Sequence, residues 1–283
     1  MRNWDDLQTI LALGRSGTMK GAAVALGVSE TTVSRRIQKI TDGDGGIIFD
    51  RNGQSWKPTA LGRGLIAVAE RVEGEIIAAE TQLEAKTKNI VGALKINSLS
   101  FINTHFLSPH VARFQLTHPD VTLTIDASDD VVSLAYRQAD IALRLTRPTE
   151  GRLIAKKLCT LHMAAFARRT EKPRDWVGLI EGLDWTPEMK VGFNHFKHRP
   201  SIRLDGFDGI LNVVEATGLG GVAPTCIARS RPQLTQLSRT VPRDVWLTYH
   251  EDMRNSPRVR AGVDWLDGAL GRNSPCMCSY CDI

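Results

Sequence analysis

A chain of 283 residues, 42% hydrophobic and 24% charged, exceeds one ordinary hydrophobic core, so two or three domains are expected. No apolar run approaches the roughly 18 residues a membrane helix needs, and the opening MRNWDDLQTI has neither the basic start nor the apolar run of a secretory signal. The net charge of +5 permits a polyanionic partner without requiring one. Five cysteines, three of them in the last eight residues, make no disulfide framework and fit a reducing compartment, so a cytoplasmic protein with no membrane partner is expected.

The first 60 residues carry eight Lys or Arg against six Asp or Glu, so any nucleic-acid argument depends on where those charges sit. A first helix from Trp4 to about Gly14 shows Leu7, Ile10, Leu11 and Leu13 at close to a 3.6-residue period. A second, about Met19 to Leu26, carries Ala22 and Ala23, small enough for another helix to approach closely. Gly27 then supplies a break, and Ser29 is a good N-cap for a third helix. In that helix Val28, Val33, Ile37 and Ile40 take the inner side. Glu30, Thr31, Thr32, Ser34, Arg35, Arg36, Gln38 and Lys39 face water, with three bases and no acid from Thr31 to Ile40. Such a face offers donors to phosphates and polar groups to base edges.

Two short strands, Ile47 to Phe49 and Gln54 to Lys57, are expected about the hairpin dipeptide Asn52-Gly53. A hairpin behind a helix-turn-helix is a wing, with Arg51 and Lys57 flanking its tip. The next helix runs from about Thr59 to Lys88, about 45 Å, with Leu61, Leu65, Val68, Val72, Ile76, Ala79 and Leu83 in a narrow, near-heptad stripe. A stripe that narrow on a helix that long calls for a second helix, so a dimerisation helix is expected.

Beyond Asn89, apolar strands alternate with helices, the pattern of a parallel or mixed α/β domain. ALKINS and VTLTIDA are strands around a helix from about Phe101 to Thr117; DIALRL follows a helix near Val131 to Gln138. From about Leu161 a second set includes SIRL, a helix from Phe207 to Thr217, and GLGGVAP, which implies two similar lobes with a cleft between them.

These residues closely resemble the LysR-type transcriptional regulators. The family's N-terminal pattern is matched by Ser16-Gly17, Ala22-Ala23, Leu26, Val33-Ser34-Arg35, Ile37, Ile48-Phe49-Asp50-Arg51 and Thr59-Ala60-Leu61-Gly62, without a gap. HPDVTLTI, ADIALR, ATGLGGVAP and SPRVRAGVDWL look like the family's effector domain, up to about Leu270. The chain departs from the pattern at Glu30, at Ile40-Thr41 and at Asp44.

The resemblance implies a winged helix-turn-helix over 1–58, a linker and dimerisation helix over 59–88, and a two-lobed, periplasmic-binding-protein-like effector domain over 89–270. Its first lobe takes about 92–160 and 252–270 and its second about 161–251, with a cysteine-containing tail over 271–283. The implied function is sequence-specific binding of double-stranded DNA by a homodimer or homotetramer, modulated by a small-molecule effector, with no enzymatic activity and no cofactor. Carried over by position, the effector residues are Ser98 and Ser100, Thr146, and Asp205 to Phe207, with Arg147 placed to pair with a carboxylate if the effector is an organic anion.

Other motifs have plainer explanations. Asp42 and Asp44 start like a calcium loop, but Ile47 and Gly53 stand where its Gly and Glu belong. The run Gly218 to Gly221 is a helix-to-strand turn rather than a nucleotide loop. His195 and His198 lack a carboxylate or thiolate neighbour for a metal, and no catalytic set is evident. Cys276, Cys278 and Cys281 offer three thiols where a closed zinc site wants four ligands, which leaves metal or redox sensing as an alternative to a frayed tail. A two-lobed receptor with little DNA activity is the remaining rival.

Overall fold

The computed structural model describes residues 4–44, 46–53, 55–84, 90–127, 139–148 and 152–271. The helix expected near Val131 to Gln138 and the tail cysteines lie outside them. The chain divides into two compact units, one built on the N-terminal elements through the long helix, the other on the α/β elements.

The first unit contains α1 (Trp4–Ser16), α2 (Met19–Leu26), α3 (Glu30–Asp44), β1 (Phe49–Asn52), β2 (Ser55–Pro58) and α4 (Ala60–Glu84). Ile10 and Leu13 of α1, Ala22 and Ala23 of α2, and Val33, Ile37 and Ile40 of α3 share one core with Ile48 and Phe49. The side chain of Thr18 caps α2 by accepting from the Gly21 amide at 3.0 Å. Gly27 ends it at φ 65°, a left-handed conformation that side chains with a Cβ avoid. Ser29 then caps α3, its hydroxyl accepting from the Thr32 amide at 3.2 Å. That helix runs through Asp44, and the helical Gly43 near its end costs only about 1 kcal/mol.

The hairpin pairs Arg51 with Trp56 and Asn52 with Ser55, so its strands begin later than the sequence implies. Ile48 is the reason. It is fully buried as a core plug, and its carbonyl accepts from the Thr59 amide at 3.0 Å. A Cβ on Gly62 would lie 2.1 Å from that carbonyl oxygen, so only glycine admits this approach of α4.

Helix α4 starts where Thr59 accepts from the Gly62 amide at 3.1 Å. Its Ala69 is buried against Leu7 and Leu11 of α1, with Ile66 and Val72 alongside. Arg15 and Glu73 join the same two helices through paired contacts of 2.6 and 3.1 Å.

The second unit opens with β3 (Gly92–Ser98), α5 (Ser100–Ile102), a π-helical turn (Asn103–Leu107), a 3-10 turn (Ser108–His110) and α6 (Val111–Thr117). There follow β4 (Val121–Ala127), β5 (Ile141–Arg144), β6 (Leu153–Arg168), β7 (Trp176–Leu179), α7 (Pro187–Phe196), β8 (Ile202–Leu204), α8 (Phe207–Thr217) and β9 (Gly220–Pro224). Helix α9 (Thr225–Ala228), β10 (Leu234–Gln236), β11 (Val241–His250) and α10 (Pro257–Leu270) complete it. The strands form one curled mixed sheet in the order β4-β3-β5-β11-β6-β9-β7-β8, with β10 beside β6.

Strands β4, β3 and β5 are mutually parallel, as are β9, β7 and β8. The long antiparallel pair β6 and β11 joins these two patches. That is a two-lobed, periplasmic-binding-like architecture. The first lobe buries Leu94, Ile96, Ile141, Leu143, Phe114 and Leu266. The second is built around Trp176, which stacks on Phe196 at 5.3 Å and meets the edge of Phe193 at 5.6 Å.

His198 fastens the approach to that tryptophan. Its Nδ1 lies 2.8 Å from the Arg199 carbonyl and its Nε2 2.9 Å from the Arg174 carbonyl. Carbonyl oxygens only accept, so both contacts are satisfied when both nitrogens carry protons. The Arg199 carbonyl, then that of Arg174, accordingly raises the pKa above the ordinary 6.5, and Asp175 adds to the effect. A raised histidine pKa contributes stability that is fully present below the unfolded value and lost as pH rises through the folded one. Thermal unfolding between about pH 6 and about pH 9 is therefore expected to show a fall in wild-type stability that His198→Gln lacks. Parallel curves would rule out this role.

Candidate functional site

Helix α3 is sharply two-sided. Val33, Ile37 and Ile40 are buried, whereas Thr31, Ser34, Arg35, Gln38 and Lys39 are exposed and Thr32 and Arg36 half-buried. Thr31, Ser34, Arg35 and Gln38 follow helical spacing, so they share one outward face. At its N-terminus the Ser29 hydroxyl lies 2.8 Å from those of both Thr31 and Thr32. The unpaired amides of a helix start favour an anion beside such a cluster. From the sequence alone Ser29 reads only as a cap.

On the wing, Arg51 donates from Nε to the Gly53 carbonyl at 3.1 Å, and its guanidinium sits 5.9 Å from the Trp56 ring centre. Lys57 is exposed and stands opposite Asp50 in the hairpin register. The Trp56 amide donates to the Gly17 carbonyl at 2.7 Å, which fixes the wing to the end of α1.

The stripe on α4 divides. Leu65 and Val72 pack on the core shared with α1. Leu61 and Ile76 remain 44% and 37% exposed, and Val68 is half-buried. The side chain of Leu83 lies outside the described residues.

The positions carried over for the effector each follow a strand end in the second unit. Ser98 is buried at the end of β3, its hydroxyl donating to the Leu99 carbonyl at 3.3 Å, and Ser100 is exposed at the start of α5. Thr146 and Arg147 are exposed just after β5, with the Arg147 guanidinium 5.2 Å from the ring centre of Trp246 on β11. Asp205 is exposed; Phe207 is buried, edge-on to Phe101 of the other lobe at 5.2 Å between ring centres.

Sequence reasoning missed a polar network beneath these groups. Buried Asn97 donates to Asp126 at 3.2 Å and accepts from Arg144, so polar residues from β3, β4 and β5 meet at the carboxyl ends of parallel strands. Ligands bind at such ends in open α/β sheets. The available signal was a polar residue closing each apolar strand run.

His195 packs edge-on to Phe196 at 4.7 Å, and His198 is held by carbonyls, so the two histidines serve different neighbours. Among the described residues no group of three His, Cys, Asp or Glu is arranged to hold a metal ion. Nor is any described helix long and apolar enough to cross a membrane.

Known proteins share this organisation. Residues 4–63 match the model of the bacterial regulatory helix-turn-helix proteins of the lysR family, and residues 88–271 match the LysR substrate binding domain. The Mau operon transcriptional activator of Paracoccus denitrificans is 27% identical over 271 residues, covering 93% of this chain and 95% of that one. Among solved structures, the LysR-type transcriptional regulator CrgA of Neisseria meningitidis superposes with a TM-score of 0.59 at 21% identity, covering 96% of this chain and 100% of that one. A full-length OxyR from Pseudomonas aeruginosa gives a TM-score of 0.66 at 17% identity, over 95% and 98% of the two chains. With both family models spanning nearly all of its length, the chain belongs to the LysR family of effector-responsive, DNA-binding transcriptional regulators.

Proposed function

We propose that this regulator reads its operator with the outer face of α3, in the cytoplasm and as a homodimer or homotetramer. Thr31, Thr32, Ser34, Arg35, Arg36, Gln38 and Lys39 enter the major groove, and Arg51 and Lys57 hold the flanking backbone. The observation that carries this reading is the one-sided burial of α3: its apolar residues close the core, and Arg35 and Lys39, unopposed by acid from Thr31 to Ile40, are exposed. Leu61, Val68 and Ile76 then join two copies through α4, because one recognition helix sees half a site. A small organic anion is the effector that best fits Ser98, Ser100, Thr146, Arg147, Asp205 and Phe207, whose hydroxyls and guanidinium stand near strand ends.

Arg51→Ala separates phosphate holding from base reading. It is expected to weaken binding to all sequences alike and to reduce the slope of log affinity against log salt by about one. An unchanged slope and affinity would remove the wing from the interface.

A further inference from the structure

Among the described residues, contacts from the π-helical turn reach across between the lobes, beside the strands that join them. His105 Nε2 lies 2.7 Å from Asp208 Oδ1. His105 belongs to the π-helical turn of the first lobe; Asp208 is in the first turn of α8 in the second. A π turn is rare and is frequently found at functional positions.

Asp208 is fixed from its own lobe. Arg231 Nη2 lies 3.6 Å from the carboxylate, and Arg231 is held in turn by Asn212 and Glu215, each at 2.7 Å. A helix N-terminus further favours the negative charge. His105 is thus the partner that reaches across from the opposite lobe. It sits one helical turn from Phe101, and Asp208 follows Phe207 directly, so the His105–Asp208 hydrogen bond and the Phe101–Phe207 contact lie side by side.

We propose that His105 and Asp208, seated beside Phe101 and Phe207, form a clasp that holds the two lobes together and must release for the cleft to admit its effector. This rests on the effector cleft proposed above. Phe207 and the Ser100 turn belong to that cleft, and with Phe101 against Phe207 its two walls touch at this point. Parting them to seat a ligand separates His105 from Asp208 as well. Both side chains are about one-third exposed, at 31% and 34%, so water screens the pair and a ligand's own contacts can outweigh it.

The test is hydrogen exchange on the full-length chain with no small molecule present. His105→Ala is expected to speed exchange across the cleft, at Phe207 to Leu211, and Asp208→Ala to speed it at Asn103 to Leu107, each by roughly fivefold or more. The double variant should exceed the larger single effect only slightly, because both remove the same contact. Arg231→Gln, which frees the carboxylate, should also speed exchange at Asn103 to Leu107, so the clasp stays testable if one alanine variant fails to fold. Acceleration confined to each substitution's own segment, or fully additive effects, would overturn the clasp and leave the effector cleft standing. Cross-lobe acceleration that no member of a panel of small organic acids reverses would support the clasp and count against the organic-anion effector.

Discussion

Ile76→Glu is expected to yield a folded monomer that binds operator DNA about a hundredfold more weakly. Ile76 is 37% exposed and outside the clusters that α4 shares with α1, so a carboxylate there costs the isolated unit little. Between two copies it would be buried without a partner, which an apolar interface does not tolerate. Loss of the dimer leaves each recognition helix with a single half-site, and the gain from linking two binding events disappears. Sedimentation and DNA titration read the two effects separately. A dimer of undiminished mass would place the interface elsewhere. Ala69→Glu would be a poor substitute, because Ala69 is buried between Leu7 and Leu11 and its replacement attacks the fold itself.

Arg35→Ala is expected to cost about 1–3 kcal/mol in operator affinity and to relax preference at one base position of each half-site. Arg35 is exposed at the middle of α3, so thermal unfolding should be unchanged. Competition between the operator and single-base variants distinguishes this from a phosphate contact, whose loss weakens all sequences equally. An affinity loss without any change in base preference would move Arg35 from reading to holding.

The helix-turn-helix was legible because its determinants are local. Helix α2 spans Met19–Leu26 as its pattern implies, and Gly27 and Ser29 do what a C-terminal break and an N-cap should. The hairpin register was not legible, since only the tertiary fold shows that Ile48 is spent on the core beneath Gly62. The α4 stripe was ambiguous for a related reason: an apolar residue at heptad spacing fits a helix of the same chain or of another copy. Leu65 and Val72 face α1, while Leu61 and Ile76 stay open.

The α/β part was legible as two strand-and-helix sets, but not in how they join. The connection depends on β6, a 16-residue strand whose run of Lys, Cys, Thr and His interrupts any simple alternation. Polar partners were least visible of all. Asn97, Asp126 and Arg144 come from three strands, and His105 meets Asp208 across 103 positions of sequence, so no local period marks either set.

Whether α3 reads DNA sequence is tested by repeated binding selection from random duplexes, under excess competitor at two salt concentrations. The predicted result is enrichment of a two-fold symmetric motif whose half-sites lie about one helical turn or a multiple of it apart, retained at the higher salt. Binding that enriches no motif and vanishes with salt would contradict the claim and reduce the helix-turn-helix to a general phosphate contact.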